Sequence, residues 1–157
     1  MTSKERVLER ERSRGRAAAL DLANRAVAEK LDGTALIAEQ DSVPAWREDA
    51  VYKQEHIGRP VQDGDQVYTI LQPHTPAHNP GFRPADLPAI YSIQHTKDPA
   101  KAKPYMAPSG TSGMYMAGDC CVENGTVWRS LNDNNVWAPS AYPSYWVDLG
   151  AVEEVQL

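Results

Sequence analysis

The sequence predicts an α+β protein: one N-terminal α-helix followed by two small antiparallel β modules. Composition changes abruptly near residues 41–46. Every aromatic ring lies beyond Ala45 and no proline precedes Pro44, while the residues before are rich in Ala, Arg, Glu and Leu. Such a shift separates two kinds of structure. The leading segment carries a helix-start signature, and the remainder contains an internal duplication punctuated by turn residues.

Thr2-Ser3-Lys4-Glu5 has the form of a capping box, in which hydroxyl and carboxylate reciprocally satisfy free amide donors. From Lys4 to Leu31 there is no proline, Gly15 is the one glycine, and good helix formers dominate. Leu20, Ala23, Val27 and Leu31 recur at three- or four-residue spacing as a narrow apolar stripe. Gly33 stands where a C-cap is expected. A stripe this thin does not stabilise a helix alone in water. Residues 1–40 are therefore expected to anchor or oligomerise the chain, docking on their own C-terminal part, on sister copies or on a larger assembly. Within residues 1–16, Lys4, Arg6, Arg10, Arg12, Arg14 and Arg16 oppose Glu5, Glu9 and Glu11, a balance of +3. That is either a basic handle for an acidic partner or a solvated helix with pairs such as Glu9/Arg12 and Glu11/Arg14. The interleaved carboxylates would repel phosphates and make nucleic acid a poor partner.

The duplication begins at Gly58. The run Gly58-Arg-Pro-Val61 through Val67-Tyr68 lies over Gly118-Asp-Cys-Cys121 through Val127-Trp128. Both read as strand, tight turn, strand, with Asp63-Gly64 and Asn124-Gly125 tolerating the positive φ of a hairpin. Downstream, Pro84, Pro88 and Tyr91 match Pro139, Pro143 and Trp146 in spacing. A tyrosine, Tyr52 or Tyr115, opens each copy. The expected organisation is a helix over 1–40, a first module over 41–97, a linker over 98–104, a second module over 105–151 and a tail over 152–157. Modules of this size have difficulty building a core, so large rings must supply the buried area.

These residues resemble the chitin-binding-like carbohydrate-binding modules of families 5 and 12. Copy one carries Tyr68-Thr-Ile-Leu-Gln-Pro-His74-Thr75, Phe82-Arg-Pro84 and Leu87-Pro88-Ala-Ile-Tyr91-Ser-Ile93. Copy two carries Tyr115, Gly118-Asp119, Asn124-Gly125, Val127-Trp128, Trp137-Ala-Pro139, Pro143 and Trp146. Copy one has Phe82 and Tyr91 where the family favours tryptophan, and copy two lacks the His-Thr element. The resemblance implies small three-stranded modules that present exposed rings to polysaccharide. Similar modules occur in phage and prophage virion proteins, behind a short N-terminal helical anchor.

Trp137, Tyr142, Tyr145 and Trp146 fall within one short stretch, and an exposed aromatic plane is what the axial C–H face of a sugar ring stacks on. Trp137, Tyr142 and Tyr145 lie between prolines in a loop, where exposure is expected. Phe82 corresponds to Trp137 and carries a weaker version of the same case. Trp146, like Trp128, Tyr68 and Tyr91, stands at a matching repeat position where core packing competes with binding. Asn132-Asp133-Asn134-Asn135 either reaches sugar hydroxyls or caps its own turn. In Cys120-Cys121 the side chains of a strand point to opposite faces, so one is expected inside as a small hydrophobe and the other exposed or against a neighbour.

His74 and His78 share a face only on a helix, which Pro76 and Pro80 oppose, so no metal is expected. No cofactor is expected either. Gly110-Thr-Ser-Gly113 is not a nucleophile elbow, no phosphate-binding loop is present, and little chain remains for a deep site. No run of apolar residues is long enough for a membrane span, and the densely charged start argues against a secretory signal peptide, so none is expected. The net charge of −5 argues against coating nucleic acid. The expected function is a non-enzymatic virion-associated protein, a tail, baseplate or head-surface component. Its helix would join other virion proteins or its own copies, and its modules would contact host-surface glycans. The rival reading is a structural decoration or connector protein whose modules bind other virion proteins.

Overall fold

Reciprocal bonds start the first helix: the Glu5 N–H donates to Thr2 Oγ1 (3.1 Å) and the Thr2 N–H to Glu5 Oε2 (2.6 Å). In the computed structural model, which describes residues 1–157, helix α1 runs Ser3–Ala28. Lys30, at φ 50°, takes the left-handed conformation that ends it. The stop expected at Gly33 is therefore displaced. Asp32 instead caps a second helix, α2 (Gly33–Ala38), accepting from the Ala35 N–H at 2.9 Å. Gly33 is needed for close approach, since a Cβ there would overlap the His95 carbonyl oxygen.

The buried face of α1 differs from the expected stripe. Leu22, Ala23 and Ala26 are buried, whereas Leu20 and Val27 are exposed. Alanine's small side chain permits close packing, and Leu22 and Ala26 join Leu36, Ile37, Val43 and Val67 in one cluster. Arg25 bonds both Asp21 (2.9 Å) and Glu39 (2.6 Å), tying α1 to the chain beyond α2. The boundary expected at residue 40 is thus not a structural division. The second half of α1 belongs to the core of the first module, while residues 1–18 are exposed on every side.

The first sheet is antiparallel, β1 (Pro60–Asp63), β2 (Gln66–Ile70) and β3 (Tyr91–Ile93) in that order. The second has the order β4 (Lys103–Pro104), β5 (Cys120–Glu123), β6 (Thr126–Ser130) and β7 (Trp146–Ala151). It is mixed rather than antiparallel, because β4 pairs parallel to β5. The hairpin turns are Gly64-Asp65 and Asn124-Gly125. The first lies one residue beyond its expected place, with positive φ at Gly64 alone; the second has positive φ at both residues.

The duplication recurs bond for bond. Gly58 donates to Ile70 O and Gly118 to Ser130 O, both at 2.8 Å. The paired bonds between Tyr52 and His74 recur between Tyr115 and Asn135, and Leu71 to Ile90 O recurs as Leu131 to Tyr145 O. Each copy even opens with a parallel segment: the Trp46 N–H donates to Gln62 O, and the Tyr105 N–H to Val122 O. That entry is too short to show any periodicity in sequence.

The two modules pack into one unit. The Cys120 N–H donates to Thr96 O at 2.8 Å, His95 stacks on Tyr115 with centroids 3.7 Å apart, and Gln66 Nε2 donates to Pro104 O at 3.0 Å. Residues 98–104 are therefore not a free linker: Ala102 is buried and Lys103–Pro104 forms β4. Nor is 152–157 a free tail. It contains the short helix α3 (Val152–Val155), and Gln156 Nε2 donates to the Pro99 and Ala102 carbonyls, each at 3.1 Å. Both faces of the second sheet are covered, so Cys120 and Cys121 are both buried, Cys120 with Ala102 and Val127 and Cys121 with Tyr115 and Trp146. Burial pushes the Cys121 thiol up to about 12 and raises Cys120 as well, so neither is a thiolate at neutral pH. No helix is long and apolar enough to cross a membrane.

Burial lowers the His95 pKa below its ordinary value of 6.5. The unfolded chain then binds the proton at a higher pH than the folded one. The stability involved is complete above 6.5 and is lost as pH falls through the folded value. The melting temperature is expected to fall between about pH 7.5 and pH 5, and less steeply in His95→Gln. Equal slopes in thermal denaturation would remove His95 from the account.

An aromatic face on the second module

The loop between β6 and β7 gathers the exposed rings. Trp137 and Tyr142 have centroids 6.2 Å apart and are tilted by 32°; Tyr142 and Tyr145 are 4.3 Å apart and tilted by 40°. Trp137 is 50% exposed and Tyr142 43%, while Tyr145 is half-buried. Three of the candidate side chains thus form one continuous ring surface.

Two further candidates do not join it. Trp146 is buried, edge-on to Tyr115 at 5.3 Å, because β7 turns its ring into the core. Phe82 is 51% exposed but belongs to the first module, where it pairs with no other ring. The repeat places Leu87 and Ile90 at the positions of Tyr142 and Tyr145, so the first module has an aliphatic counterpart. Arg83, in the place of Ala138, lies over the Trp46 ring at 4.7 Å and pairs with Asp63. The two copies share a frame and differ in the surface it carries.

The frame holds Trp137 from both sides. Its N–H donates to Asn135 Oδ1 (3.1 Å), and its carbonyl accepts from Trp146 Nε1 (3.0 Å). Asn135 is buried and donates through Nδ2 to Ser130 Oγ (3.0 Å), which donates to Asn132 O (2.8 Å). In the first module the ring at the equivalent position, Tyr91, accepts instead from Trp46 Nε1 at 3.0 Å. The same core position is redeployed to fix the exposed tryptophan only where the ring surface exists. Beyond Trp137 the loop is pinned by Ala138 O, which accepts from Ala141 and Tyr142, and by Glu123 Oε1, which accepts from Ser140 at 2.8 Å.

The asparagine-rich turn is tied to the loop before β5. Asp133 Oδ1 accepts from the Ala117 N–H (2.9 Å), and Asn134 adopts a φ of 54°. Asn135 was legible as a turn residue, yet its hold on Trp137 requires knowing that its side chain points inward. His74 packs edge-on against Tyr91 at 5.7 Å with its Nε2 buried and unpartnered, while His78 is exposed.

Trp146→Phe keeps most of the buried ring and removes only the indole donor. The Trp137 indole N–H is expected to gain nanosecond mobility in ¹⁵N relaxation, with the fold retained. An unchanged order parameter would show that Trp146 does not position Trp137.

Compared with protein-family models and with curated proteins, the chain matches none. The functional reading therefore stands on the ring surface and on the sequence motifs that resemble carbohydrate-binding modules.

Proposed function

We propose that this chain is a non-enzymatic, virion-associated protein of a phage or prophage, a tail, baseplate or head-surface component that contacts host-surface glycans. The observation that carries the reading is the exposed surface of Trp137, Tyr142 and Tyr145, held on a hydrogen-bonded loop. Aromatic rings on a fixed backbone offer apolar contact to the C–H face of a sugar ring at a reduced ordering cost on binding. The repeat, with its resemblance to carbohydrate-binding modules, supports the same reading. The virion setting is supported by the resemblance and by the exposed helical arm, which suits attachment to an assembly.

The site is shallow, so a single contact is weak and several copies must act together to hold a surface. The test is co-sedimentation of the full chain with insoluble chitin, peptidoglycan and intact bacterial cell wall. Retention on at least one, released by soluble fragments of the same glycan, is expected. If no polysaccharide retains the protein, the glycan reading fails and the rings are left to bind another virion protein.

A further inference from the structure

The arm at the start of α1 carries a basic stripe that nothing in its own chain neutralises. Arg6, Arg10 and Arg14 follow one another at i, i+4 and i+8, which on a helix is a single row. None of the three pairs with a carboxylate. The nearby acids are engaged elsewhere or stand off the row. Glu9 pairs with Arg16 at 3.1 Å, Glu5 closes the capping box, and Glu11, three residues before Arg14, forms no ion pair with it.

The opposite charge lies in the body. Residues 1–16 carry +3 of the total of −5, so residues 17–157 carry −8. Residues 130–157 contain Asp133, Asp148, Glu153 and Glu154 and no Lys, Arg or His. Asp133 and Asp148 are used internally, accepting from Ala117 and Gly150. Glu153 and Glu154 are exposed and unpaired.

The arm makes no ion pair with these acids within its own chain. It is continuous with the docked half of α1, and its exposed portion extends roughly 25 Å. We infer that the complementary charges meet between molecules: the arginine row of one copy docks on the exposed Glu153 and Glu154 of α3 in a second copy. The contact is head to tail, so it propagates into a ring or a filament rather than closing as a two-fold pair. This deepens the assembly half of the proposed function and does not involve the ring surface. Nucleic acid is the disfavoured occupant, because the −8 body would repel its phosphates.

The test is sedimentation velocity of the full chain at about 50 mM and about 1 M salt, conditions that differ several-fold in electrostatic reach. At low salt the weight-average mass is expected to be at least twice the 17.3 kDa of one chain, and to return to that value at high salt. The triple variant R6E/R10E/R14E and the double variant E153K/E154K are each expected to be monomeric. Because the arm is exposed, circular dichroism should show both folded. Mixing the two brings the intact arginine row of one variant to the intact glutamates of the other and is expected to restore association. Combining all five substitutions in one chain reverses both charges and is expected to restore it as well. A wild-type monomer at low salt overturns the inference, as does association that ignores either set of reversals. A monomer that binds duplex DNA through the arginine row also overturns it. Glycan co-sedimentation, read in parallel at high salt, separates this failure from a failure of the ring-surface reading.

Discussion

Trp137→Ala is expected to weaken retention on the preferred glycan by at least tenfold while leaving the fold intact. Half of the ring is exposed, and its removal deletes the largest apolar contact on the surface. Tenfold corresponds to about 1.4 kcal/mol, comparable to what one aromatic contact contributes. Stability should change little, because the backbone bonds to Asn135 and Trp146 use main-chain atoms that alanine retains. Phe82→Ala, the matching change in the first module, is expected to leave retention within about twofold, since no other ring accompanies Phe82. Equal losses from the two substitutions in a binding isotherm would contradict the assignment of the site to the second module.

Gly33→Ala is expected to be among the most destabilising single substitutions available in the chain. The new methyl would meet the His95 carbonyl oxygen and stand 2.9 Å from its nitrogen. Neither is the movable end of a side chain. Relief requires α2 to part from the His95–Lys97 segment, where the Lys97 N–H donates to Thr34 Oγ1 at 3.0 Å. Overpacking of this kind costs about 3 kcal/mol, or roughly 6–12 °C in melting temperature for a domain of this size. Gly15→Ala is the control, with nothing within 4 Å of the added carbon. In an exposed helix interior it should stabilise by up to about 1 kcal/mol. Thermal melts of the two variants moving in the same direction would refute this account of Gly33.

Local chemistry was what the sequence made visible. The Thr2/Glu5 cap, the hairpin at Asn124-Gly125 and the spacing of the duplication each depend on neighbours within a few residues. Trp137, Tyr142 and Tyr145 could be expected to come together because prolines constrain the short loop between them. What escaped depended on distant packing. The face of α1 that docks is set by Leu36, Ile37, Val43 and Val67, so Leu22 and Ala26 are used where Leu20 and Val27 offered more apolar surface. Gly33 looked like a helix stop because His95, which dictates a glycine there, is far away in sequence. The short β4 had no pattern to read, and its absence turned residues 98–104 into an apparent linker. At Trp146 the repeat position leaves core packing and binding in competition, and the alternation of β7 decides it by directing the ring inward.

A titration of the ¹⁵N-labelled chain with soluble cell-wall glycan fragments bears most directly on the ring surface. Its four indole N–H signals arise from Trp46, Trp128, Trp137 and Trp146. The account predicts that the Trp137 signal shifts in a saturable way while that of buried Trp46 stays in place. A Trp137 signal that is unmoved at saturating fragment, or one that moves no more than Trp46, would contradict it.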